Sequence, residues 1–206
     1  MYKLRTKGGK RNPTINWALP ERVFFACGAC HILAYAFIKA YPDSGFTPVW
    51  IRPAKGYTGN HILVVRDQLA FDYHGYSRWP TLLTHMKQKA NRWWPGWDAD
   101  LIRIPEEVLI SEPKSRTYEG LWLREPRQFL FDAMPRAQRY LWRFPAPHEL
   151  TIDRCIDRFL LFDRKIGQFP RDFDLFSLLG EEPDSAMIYK TDWHAAQRGG
   201  AGERGV

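Results

Sequence analysis

The chain has 206 residues, of which 45% are hydrophobic and 26% charged; that balance supports one sizeable core and excludes wholesale disorder. No run approaches the ~20 apolar residues of a bilayer-spanning helix, and the basic N-terminus, MYKLRTKGGKRNPT, lacks the apolar stretch of a signal peptide. A net charge of +7 admits contact between the basic N-terminal arm and an anionic partner, although no nucleic-acid readout motif accompanies it.

Residues 1–15 read as a flexible basic arm, with Gly8 and Gly9 among the lysines and arginines. A helix is expected over 25–41, where Ile32, Leu33, Ala36, Phe37 and Ala40 recur at helical spacing. Pro42, Asp43, Ser44 and Gly45 stop it with turn chemistry. An extended piece over 47–52 and a loop over 54–60 follow. His61-Ile-Leu-Val-Val, a polar turn at 66–68 and Leu69-Ala-Phe-Asp72-Tyr then read as a β-hairpin, ended by Gly75. Pro80 opens a helix carrying Leu82, Leu83, Met86 and Ala90, which Trp93-Trp94-Pro95-Gly96-Trp97 breaks.

After residue 100, short strands are expected at 101–104 and 108–111. Helical patterns follow near 126–143, 150–166 and 171–179, the second started by Thr151 and stopped by Gly167. Cys155 belongs to the core face of that second helix. These readings divide the chain into the arm, a core over 16–110, a helical extension over 111–180 and a disordered tail over 181–206. The fold class is α+β: a helix packed on a small antiparallel sheet, with a helical C-terminal extension.

The chemistry centres on Cys30. A nucleophilic cysteine must be a thiolate, which a helix N-terminus and a nearby histidine both favour. Gly28-Ala29-Cys30 immediately precedes the apolar-periodic helix, which puts Cys30 in its first turn. One hairpin strand supplies His61 and its partner Asp72, so the carboxylate can hold one imidazole nitrogen while the other faces the sulfur. Cys30-His31-Ile-Leu-Ala-Tyr-Ala-Phe37, with His61-Ile-Leu-Val-Val and Phe71-Asp72-Tyr-His-Gly75, resembles papain-like cysteine hydrolases, notably the compact transglutaminase-like branch. The resemblance covers residues 25–90 and implies Cys30 as nucleophile, His61 as base and Asp72 as orienter. It also implies acyl transfer on a protein, peptide or small amide substrate, with no cofactor.

Cys27-Gly28-Ala29-Cys30 also matches the Cys-Gly-Ser/Ala-Cys of papain itself. Here, however, His61 is close, His31 replaces the aromatic after the nucleophile, and Phe24 stands where papain has Gln. That leaves the oxyanion hole to the backbone N–H of Cys30 and, for the second donor, Asn60 or Asn16. Tyr73, Trp79, Trp93 and Trp94 are candidates for a substrate groove, although tryptophans so clustered also pack loops onto cores.

Three rivals stand beside this reading. Cys27 and Cys30 after Val23-Phe24-Phe25 imitate a thioredoxin-type dithiol between strand and helix, a thiol-disulfide oxidoreductase. Cys27, Cys30, His31, His61 and His74 could contribute to a zinc site, though one Cys-x-x-Cys is a poor zinc signal. The third is a catalytically inactive papain-like binding module. Three cysteines, an odd count, fit a reducing, cytoplasmic compartment better than a disulfide framework.

Overall fold

A computed structural model describes residues 12–150. The chain divides into units spanning 1–162 and 163–206, and every described residue lies in the first. The readings made for residues 1–11, for the helices after 150, for Cys155 and for the tail fall outside the described residues.

Helix α1 (Pro13–Ala18) starts inside the stretch read as the arm, because the Asn12 side chain accepts from the N–H groups of Thr14 and Ile15 at 3.0 and 3.1 Å. That is an N-cap, and Pro13 occupies the position where its missing N–H costs nothing. The single helix expected over 25–41 is two helices, α2 (Glu21–Ala26) and α3 (Cys30–Ala40). Gly28 separates them with φ +139°, a conformation that a β-carbon opposes. Val23 and Phe25 therefore lie in a helix, and the strand that a thioredoxin-type dithiol would need before Cys27 is not formed there.

The sheet has five antiparallel strands in the order β4-β3-β2-β1-β5: β1 (Thr47–Pro53), β2 (His61–Arg66), β3 (Leu69–Asp72), β4 (Gly75–Arg78) and β5 (Ala99–Arg103). The expected hairpin is β2–β3, closed by Asp67 and Gln68 with Arg66 opposite Leu69; Asp67 takes φ +52°, which Asp tolerates better than bulkier residues. Gly75 does not end the sheet but begins β4, whose four residues, Gly-Tyr-Ser-Arg, carry little strand signal. Its φ is +94°, and a β-carbon there would stand 2.6 Å from the Phe144 ring. Residues 108–111 are not a strand: Pro105 precedes a single 3-10 turn over Glu106–Val108, and Val108 and Leu109 are buried.

Helix α4 (Trp79–Trp93) packs Leu82, Met86 and Ala90 against Ile51, Leu63 and Ala70 of one sheet face. Phe71, next to Ala70, points to the other face, as strand alternation requires, and meets Phe37 of α3 with ring centroids 4.6 Å apart. Trp50, Phe25, Phe37 and Phe71 are fully buried, each contributing about 1.5–3 kcal/mol of burial free energy. Beyond residue 110 the described chain consists of turns, a one-turn helix α5 (Glu112–Ser115) and α6 (Ala133–Leu141). Helix α6 packs on α3, with Tyr140 4.9 Å from Phe25 of α2 between ring centroids. No helix among the described residues is long and apolar enough to cross a membrane.

Candidate active site

Cys30 is the first residue of α3, whose N-cap, Ala29, offers no side chain to the free N–H groups. The positive end of an eleven-residue helix is thus left open at the sulfur, where it favours a thiolate. His61 opens β2 and Asp72 closes β3. Continuing the β2–β3 register, in which Val64 faces Phe71, puts Asp72 one diagonal step from His61 on the same face, within reach of a long side chain. The contact is made: His61 Nε2 donates to Asp72 Oδ2 at 3.1 Å, with both side chains buried. A carboxylate only accepts, so Nε2 carries a proton and Nδ1 is left for the sulfur.

The electrostatics follow from these placements. Burial opposes the Cys30 thiolate, but hydrogen bonds from His31 and His61, and the charge of both rings, outweigh it and lower the thiol to about 5. Burial likewise opposes the His61 imidazolium, yet its hydrogen bonds to Asp72 and Cys30 raise it to about 9. The two shifts run in opposite directions and together favour a thiolate–imidazolium pair near neutrality. The buried Asp72 carboxyl is held well below the usual carboxylate range by the adjoining His74 and His61. Comparisons with protein-family models, curated proteins and solved structures give no match.

Two further histidines, named above as candidate zinc ligands, stand at the site. His74 turns inward: its backbone N–H donates to Asp72 Oδ1 at 2.7 Å and its Nδ1 to the same oxygen at 3.1 Å. Asp72 is therefore gripped by both rings, His61 on Oδ2 and His74 on Oδ1 with a longer Nδ1 contact to Oδ2 at 3.3 Å. Burial pulls His74 below the ordinary imidazole value in spite of this carboxylate, so its ring acts as a neutral donor near neutrality. His31, beside Cys30, is buried and its Nε2 donates to the backbone carbonyl of Arg124 at 2.9 Å. Adjacency to Cys30 was the available signal for His31. The Asx-turn geometry of Asp72-Tyr73-His74 was the signal for His74.

The remaining candidates scatter. Asn60 is exposed, and its Oδ1 accepts from Trp50 Nε1 at 2.8 Å, which leaves Nδ2 as a donor one residue before His61. Asn16 is buried in α1, with Nδ2 unpartnered among the described residues. Tyr73 is buried rather than lining a groove: its ring lies edge-on to His61 at 5.3 Å and over His74 at 4.1 Å. Trp79 and Trp94 pack against the α4 core cluster, whereas Trp93 is half exposed. Cys27 is buried at the end of α2. Among the described residues, no three His, Cys, Asp or Glu side chains are grouped as metal ligands.

Proposed function

We propose that the protein is a thiol-dependent hydrolase or acyltransferase of papain-like type, acting on an amide or related bond. The observation that carries this reading is the buried Asp72–His61 hydrogen bond together with Cys30 at an uncapped helix start, where the neighbouring histidines favour the thiolate. The Cys30 thiolate attacks the carbonyl carbon, and the resulting oxyanion is met by the Cys30 backbone N–H, with Asn60 Nδ2 as the second donor. The imidazolium Nδ1–H of His61 passes its proton to the leaving amine as the C–N bond breaks, leaving a thioester on Cys30. Water or an amine, deprotonated by the now neutral His61, attacks the thioester and expels the thiolate. Asp72 keeps the ring oriented throughout and stabilises its charge; His74 keeps Asp72 in place.

The test uses a vinyl-sulfone or acyl probe on the full chain. Cys30→Ala should abolish covalent labelling and Cys27→Ser should retain most of it. Equal loss in both variants, with disulfide-reductase activity in the parent protein, would replace this reading by the dithiol one, since a dithiol cycle needs both sulfurs.

A further inference from the structure

Arg124 is a half-buried cation with no carboxylate partner among the described residues. Its guanidinium lies over the Phe129 ring at 4.2 Å, and burial without a compensating charge lowers its pKa. It stands beside the nucleophile loop: a β-carbon on Gly28 would be 3.6 Å from Arg124 Nη2. Gly28 precedes Cys30 by two residues, a span bounded by two Cα–Cα steps of about 3.8 Å each. The segment that carries Arg124 is fastened on both sides. The Leu123 N–H donates to the buried Ser115 Oγ at 3.0 Å, the Arg124 carbonyl accepts from His31, and the Glu125 N–H donates to Gln128 Oε1 at 2.7 Å.

A half-buried guanidinium stacked on Phe129 beside the Cys30 loop, and left unneutralised among the described residues, suits an anion. We propose that Arg124 sets the specificity of the Cys30 site by binding a carboxylate carried close to the scissile carbonyl, so that the preferred acyl donor is acidic. This inference rests on Cys30 being the nucleophile, and the test separates the two.

Cys30 in the full chain is alkylated near pH 7 with iodoacetate, which carries a carboxylate, and with iodoacetamide, its neutral analogue; the two rates are read by peptide mapping. The ratio of the iodoacetate rate to the iodoacetamide rate should fall about 3- to 10-fold in Arg124→Gln, the attraction expected of one partly screened charge at this range. Arg124→Lys, which keeps the charge, should hold the ratio within about twofold of the parent, because a point charge still attracts the anion. An unchanged ratio in Arg124→Gln, including the case where both rates fall together, would make Arg124 a packing residue and overturn the inference. A ratio that falls equally in Arg124→Lys would also overturn it. If iodoacetamide labels Cys30 no faster than Cys27 in the parent protein, the nucleophile assignment itself fails, and this inference falls with it.

Discussion

At the scale of single residues, the site is a chain of hydrogen bonds that runs from Asp72 through His61 toward the Cys30 sulfur, and Asp72 is its fixed point. Asp72→Asn keeps the shape but removes the charge that favours the imidazolium. His61 should then lose its proton well below its present value of about 9, because a positively charged ring without its carboxylate is easier to deprotonate. A pH titration of Cys30 alkylation should show the upper limit of the ion-pair window moving down, and turnover of an acyl substrate should drop by about 10²- to 10⁴-fold. An unmoved upper limit would show that Asp72 does not act on His61. His74→Phe preserves the stack on Tyr73 but deletes the Nδ1 bond to a buried carboxylate. Chemical denaturation should report a loss of about 1–3 kcal/mol, with Cys30 still reactive; an unchanged midpoint would deny His74 its role.

At the scale of elements, the sequence announced what is periodic and hid what is short. The helix from Cys30 was legible because five apolar residues fall on one stripe, and the His61–Asp72 hairpin because β-branched and aromatic residues flank a polar turn. Helices α1 and α2, of six residues each, complete too few turns to show a period, so neither was expected and only the last two residues of α2 fell within the helix read over 25–41. β4 looked like a loop because Gly75 usually ends structure; here Gly75 is required where Phe144 approaches. Nothing local in Arg124 or Tyr140 pointed to the site, since their partners lie far away in sequence. Tyr140 is the clearest case: from α6 its hydroxyl donates to the buried carbonyl of Tyr73 at 2.7 Å, between Asp72 and His74. Tyr140→Phe should cost about 1–3 kcal/mol by stranding that carbonyl, read as a lower denaturation midpoint. A variant as stable as the parent would mean that α6 does not support the Asp72 loop.

At the scale of the whole molecule, one sheet covered by helices brings together three side chains from three elements. α3 gives Cys30, and the two hairpin strands give His61 and Asp72. α6 braces α3 and, through Tyr140, the loop after β3. The central claim is that this assembly holds Cys30 as a thiolate, and the pH dependence of its alkylation by iodoacetamide tests that claim most directly. A thiol lowered to about 5 is already ionised well below neutrality, so the Cys30 rate should reach half its plateau near pH 5 and stay flat through pH 6 to 8. A Cys30 rate that instead climbs about tenfold per unit toward pH 8.5, as for an ordinary cysteine, would contradict the account.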